Sequence, residues 1–192
     1  RQNGYLEAIA TLKHYAANNS EASRLNGSSD MDERTLREYY TAQFRDIIEA
    51  SHPGSMMSAY NSVNGVPSAA NGHLIDTLAR QTYGFGGYFT SDCDAIYEIM
   101  AGQNWLPPGG DGPLDQYSRS AVALNAGEDL DCDMGYHDDF NYANSLPEAV
   151  AKGLVSENTV DISVQRLFKA RMELGEFDAE SQVPWVAAAR KR

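Results

Sequence analysis

Two carboxylates, Asp92 and Asp94, follow directly on Gly87-Tyr88-Phe89-Thr90-Ser91, an aromatic and β-branched run that reads as a buried strand. A carboxylate just past the C-terminal end of such a strand costs stability and suits catalysis. The local pattern alone also allows Asp92 to be a cap for the following helix, Ala95 to Met100. Three further strand-like segments end the same way. Lys13 and His14 end Ile9 to Tyr15, Tyr60 and Asn61 end Ser55 to Tyr60, and Glu128, Asp129 and Asp131 follow Ala121 to Ala126. If the strands run parallel, all these groups meet on one rim, which favours the catalyst over the cap. A carboxylate near Lys, His and Tyr suits covalent attack on an electrophilic carbon. The tyrosine hydroxyl can hold the carboxylate ionised and oriented, and the Lys and His donors can bind sugar hydroxyls. That is half of a retaining glycosidase, which needs a nucleophilic carboxylate plus a second carboxyl group as acid/base. No G-x-S-x-G elbow, Walker loop, G-x-G-x-x-G or H-E-x-x-H occurs, so neither cofactor nor metal is expected.

The elements that must position these residues alternate. Glu33 to Ala50 is the clearest helix, with Leu36, Tyr40, Phe44, Ile47 and Ile48 at helical spacing and Asp32 placed to cap it. Leu74 to Tyr83 and Leu146 to Lys152 are shorter helices, stopped at Gly84 and Gly153. Ser156 opens a last long helix with Val160, Val164, Leu167, Phe168 and Met172 as its apolar stripe and Gly175 at its close. Ala121 to Ala126 reads as a strand but overlaps a helical pattern, and Glu128 as a solvated loop carboxylate. Residues 101–118 form a Pro/Gly-rich loop on the face where active sites are shaped. Strand, helix, strand, helix predicts an α/β fold with parallel strands. At about 30 residues per βα unit, four strands amount to half a (β/α)8 barrel. The expected domain is 1–176, with 177–192 as a linker toward a second domain.

Bulk properties narrow the partners. The net charge of -12 over 192 residues leaves no basic face for nucleic acid or an anionic membrane surface. No run approaches the ~18 apolar residues of a membrane span. The first residue is Arg1, not a methionine, which reads as a piece of a longer polypeptide. Two cysteines, Cys93 and Cys132, are too few for a disulfide scaffold and too far apart for a zinc motif. The compartment stays open, with a secreted or periplasmic setting preferred to the cytoplasm.

The chain resembles glycoside hydrolase family 3 along almost its whole length. Leu12-Lys13-His14-Tyr15-Ala16-Ala17-Asn18 is similar to the family's Lys-His sugar-binding segment, and residues 32–40 to its helix signature. Residues 55–67 resemble its tyrosine-bearing strand and loop, and Gly84 to Asp92 its nucleophile strand. Leu167 to Asp178 resembles the helix that closes the barrel domain. The resemblance implies a retaining mechanism with Asp92 as nucleophile, Tyr60 hydrogen-bonded to it, and Lys13 and His14 on the hydroxyls of an oligosaccharide. Ser91-Asp92-Cys93-Asp94 with Asp129-Leu130-Asp131-Cys132 resembles the β-xylosidase branch, since many β-glucosidases carry Trp where Cys93 stands. Ala16 to Ser20 lacks the second His of the β-N-acetylhexosaminidases. On this resemblance Cys93 and Cys132 end neighbouring strands, as a disulfide or as two buried thiols. It also implies that the first barrel strands and the acid/base lie outside this chain. A β-glucosidase parent and a silent sugar-binding fragment are the alternatives.

Overall fold

The computed structural model describes residues 2–110, 112–133, 135 and 141–189, so Asp111 of the Pro/Gly-rich loop and Arg190–Arg192 of the tail lie outside them. β1 (Thr11–Tyr15), β3 (Ser55–Ser58) and β6 (Tyr88–Thr90) form a parallel sheet in that order. Leu130 extends it by a parallel bridge to Thr90. Four consecutive parallel strands under helices are the second half of a (β/α)8 barrel. A small second sheet, β2 (Ser28–Ser29), β4 (Ser62–Val63) and β5 (Val66–Pro67), sits in the connections that follow β1 and β3.

The helix expected over Glu33 to Ala50 is made of α1 (Glu33–Thr35), a π-helical Leu36–Tyr40 and α2 (Ala42–Ser51). Asp32 caps it through the Thr35 N–H. At the break, the Thr41 N–H and hydroxyl both donate to the Leu36 carbonyl. A second π-helical stretch, His73–Thr82, precedes β6. Next come α3 (Ala95–Ala101), α4 (Gln116–Ala126), α5 (Tyr142–Ala151), α6 (Glu157–Leu174) and α7 (Pro184–Ala189). Tyr15, Leu36, Phe44, Ile48, Met56, Leu74, Ile75, Leu78 and Phe89 fill the layer between sheet and helices. The rings of Tyr15 and Phe44 meet edge-on at 4.9 Å. Gly87 is required where β6 begins: a Cβ there would lie 2.3 Å from the Gly54 carbonyl oxygen, which accepts the Tyr88 N–H.

Two expectations need correcting. Ala121 to Ala126 is the end of α4, not a strand; Asp115 caps that helix and Gly127, at φ 102°, ends it. Its alanines and Leu124 are buried against α3 and α5, so continuous hydrophobicity there reflects a helix covered on two sides. The fourth strand is instead the short stretch at Leu130. In α6 most of the predicted stripe is turned outward: Val164, Phe168 and Met172 are 42%, 40% and 57% exposed, while Val160 and Leu167 are half-buried and Ser163 and Ala170 are buried. Arg166, which reaches Asp129, and the Leu6 N–H bond to the Glu173 carbonyl set the rotation of the helix. Past Phe177, Val183 is buried against Gly175. No helix among the described residues is long and apolar enough to cross a membrane.

Candidate active site

Asp92 leaves the C-terminal end of β6 with its N–H on the Ser58 carbonyl at 3.2 Å, which ties it to the end of β3. One carboxylate oxygen accepts the Cys93 N–H at 2.9 Å. The other lies 3.2 Å from His14 Nε2 at the end of β1, an ion pair whenever the imidazole is protonated. Both side chains keep contact with solvent, at 16% and 32% exposure. The N-cap position of α3 belongs to Asp94, which makes no side-chain cap hydrogen bond, so the Asp92 carboxylate faces the rim rather than a helix end. Lys13, next to His14, is exposed.

Tyr60 stands beside this pair. Its hydroxyl donates to the Cys93 carbonyl, not to the Asp92 carboxylate. Burial, with the Asp92 charge nearby, pushes the phenol up from its ordinary range, so it stays a proton donor. The Arg24 guanidinium lies over the ring at 4.8 Å, and Gln103 Nε2 donates to the Tyr60 carbonyl at 3.0 Å. Neither Arg24 nor Gln103 carries a sequence signal of its own; Gln103 is one residue of the Pro/Gly-rich loop.

Cys93 and Cys132 are joined in a disulfide with Cα atoms 4.4 Å apart. The Asp94 N–H to Cys132 carbonyl bond and the Cys132 N–H to Ser91 hydroxyl bond lie alongside it. The bridge closes a sequence separation of 39 residues. On the chain-entropy account, Cys93→Ser with Cys132→Ser should lower stability by about 4 kcal/mol. Urea unfolding of the double variant checks this, and a loss under about 1 kcal/mol would show that the cross-link constrains little.

The acids after α4 have separate fates. Asp129 is fully enclosed as a side chain and accepts from Arg80 at 2.6 Å, Arg166 at 2.9 Å and the Phe89 N–H at 2.9 Å. Asp131 accepts the Tyr142 N–H at the start of α5; burial, with Asp133 and Asp94 nearby, raises it to about 6. Glu128 is not a solvated loop residue: its exposure is 0%. The turn from Gly127 folds it under α4, where its N–H bonds the Ala123 carbonyl. A cavity of about 250 Å³ among Ile9, Gly54, Gly87 and Arg166 opens at the other end of the strands, away from Asp92.

Geometry therefore joins a partly exposed carboxylate, an imidazole and a phenol on one rim. Residues 2–170 match the family model described as the glycosyl hydrolase family 3 N terminal domain. The chain belongs to glycoside hydrolase family 3. It is 36% identical over 182 residues to a probable exo-1,4-β-xylosidase of Aspergillus clavatus, covering 92% of this chain and 21% of that protein. To the exo-1,4-β-xylosidase of Aspergillus niger it is 35% identical with the same coverage. A family 3 exo-β-xylosidase solved with a xylobiose aziridine probe superposes with a TM-score of 0.79 at 31% identity, over 97% of this chain and 25% of that one. The β-glucosidase of Bifidobacterium adolescentis gives 0.68 at 28%, over 91% and 22%. This family 3 chain thus spans about a fifth of the length of its curated relatives.

Proposed function

We propose that this chain supplies the nucleophile half of a retaining, exo-acting β-xylosidase that removes terminal β-D-xylosyl residues from xylo-oligosaccharides. The carrying observation is the Asp92 carboxylate at the rim, 3.2 Å from His14 Nε2, inside a segment similar to exo-β-xylosidases. An Asp92 oxygen attacks the anomeric carbon as the bond to the leaving oxygen breaks. The departing oxygen takes its proton from an acid that no residue of this chain is assigned to provide. Water then hydrolyses the glycosyl ester, which frees xylose and restores the carboxylate. His14 and Lys13 bind sugar hydroxyls. Tyr60, through the Cys93 carbonyl, fixes the backbone next to the nucleophile. The xylose reading is supported by the relatives' names and by Cys93, held by its disulfide one residue from Asp92. That same disulfide supports an oxidising compartment, secreted or periplasmic. A β-glucosidase reading has the likeness to the Bifidobacterium enzyme in its favour.

The test replaces the matching fifth of the Aspergillus niger enzyme with this chain. We expect higher kcat/KM on an aryl β-xyloside than on an aryl β-glucoside. A 2-fluoro-xyloside with an activated leaving group should label Asp92. Peptide mapping that finds the label elsewhere in the segment would overturn the mechanism, and a glucoside preference would overturn the substrate.

A further inference from the structure

Below the rim, neither carboxyl oxygen of Glu128 reaches solvent or a hydrogen-bond partner, and the Ser58 hydroxyl beside it is likewise unpartnered. Ser58 approaches the carboxyl without hydrogen-bond geometry. Among the described residues, the charged and titratable groups around Glu128 include Arg80, Tyr142, Asp129 and Asp131. Arg80, from the π-helical stretch, is bound to Asp129 at 2.6 Å. The Tyr142 hydroxyl, from α5, donates to the Glu128 carbonyl at 2.9 Å. Asp129 and Asp131, on its own segment, add only negative charge. Buried without a donor, the acid is driven well above its ordinary 4.5, against weaker pulls from Ser58 and Arg80.

Glu128 also stands between two supports of Asp92. On one side is Ser58, whose carbonyl accepts the Asp92 N–H at 3.2 Å. On the other, four residues along the chain, is Cys132, bonded to Cys93. We propose that Glu128 is a positioning residue for Asp92: its neutral carboxyl lets the ends of β3 and the Leu130 strand close around the base of the nucleophile, and its ionisation opens them. Among the described residues the cation that pulls on Glu128, Arg80, is already held by Asp129 with only its Nε unpartnered, so an ionised carboxylate at this place draws in water, and Ser58 or the 128–132 segment must move to let it. The catalytic sense of this rests on the reading of Asp92 as nucleophile.

The sign follows from proton linkage. An acid whose folded pKa lies above its unfolded value contributes its stability in full below the unfolded pKa, about 4.5, and loses it as pH rises to the folded pKa. Asp131, raised to about 6, acts the same way but only up to that value. Above about pH 6, therefore, and up to the folded pKa of Glu128, local opening releases the Glu128 proton, and protection should fall up to tenfold per pH unit.

The experiment is hydrogen exchange on the chain itself, with each rate corrected for intrinsic exchange. The Asp92 amide should lose protection up to about tenfold per pH unit above pH 6, and the Glu128→Gln variant should lose most of that slope, keeping only what the His14–Asp92 pair contributes. The Phe44 amide, bonded to the Thr41 carbonyl at the start of α2, should be flat in both proteins. Equal slopes at Asp92 and Phe44 would make the effect global and overturn positioning; so would an unchanged slope in Glu128→Gln. Carboxyl carbon NMR of unmodified Glu128 needs no variant to fold: a midpoint well above 4.5 is expected, and one near 4.5 overturns the proposal. Neither readout depends on glycosidase chemistry, so failed labelling of Asp92 and failed positioning by Glu128 remain distinguishable.

Discussion

Replacing Asp129 with alanine should lower the unfolding free energy by about 3–5 kcal/mol, the range for removing one partner from a buried ion pair. The Asp129 side chain has 0% exposure and accepts three hydrogen bonds, from Arg80, Arg166 and the Phe89 N–H. Arg80 is only 9% exposed and its Nε already lacks a partner. Burial pulls its pKa down, and the Asp129 charge is the main force holding it up. Without that charge the guanidinium is left uncompensated between the π-helical stretch and β6. Arg166 would also be released, and with it the hold that turns α6 toward the sheet. Asp129→Asn keeps an acceptor for the Phe89 N–H but not the charge, so its loss should be smaller. Urea unfolding at pH 7 checks both. A loss below about 1 kcal/mol for the alanine variant would show that the arginines find other partners.

Asp129 also marks where sequence reading ran out. From the chain alone, Glu128, Asp129 and Asp131 form one polar set after a strand-like run. In the fold the run is helical, and the three acids go to a core pocket, a two-arginine clamp and the start of α5. Which side chain turns where depends on the kink after Gly127, and local pattern does not encode it. The rim was legible because parallel strands bring their C-terminal ends together whatever the covering helices do. His14 and Asp92 accordingly meet despite 77 intervening residues, since β1 and β6 both pair with β3. The core face of α2 was legible for the same reason of simple periodicity: Phe44 and Ile48 are buried. The rotation of α6 was not. Its apolar stripe predicts the buried side, but the Arg166–Asp129 bond and the fit of Ser163 and Ala170 decide it. The π-helical turns were hidden too, because each is an extra residue in a helix whose composition stays ordinary.

Asp92→Asn, placed in the same chimera with the Aspergillus niger enzyme, should lower kcat by about 10⁴–10⁶-fold, the scale on which loss of a covalent nucleophile is measured. The amide keeps the shape and can still accept the Cys93 N–H. What it loses is the anionic oxygen that, on the proposed mechanism, forms the ester, and with it the charge facing the developing positive character at the anomeric carbon. Stability should hardly move. Asp92 is partly solvated and its ion-pair partner His14 is a third exposed, so the pair is worth under about 1 kcal/mol. Asp129→Ala should be the reverse, a folding defect with no change in the residues that meet substrate. The two variants thus separate the proposed catalytic role of Asp92 from the structural role of Asp129. Azide gives the decisive reading with Asp92→Ala: an external anion in the vacated space can attack the anomeric carbon from the face the carboxylate used. The product should be a glycosyl azide of inverted configuration, formed from a substrate with an activated leaving group. Rescue that yields the retained product, or unfolding of Asp92→Asn in place of a loss of rate, would remove Asp92 from the chemistry and leave it a structural residue of the rim.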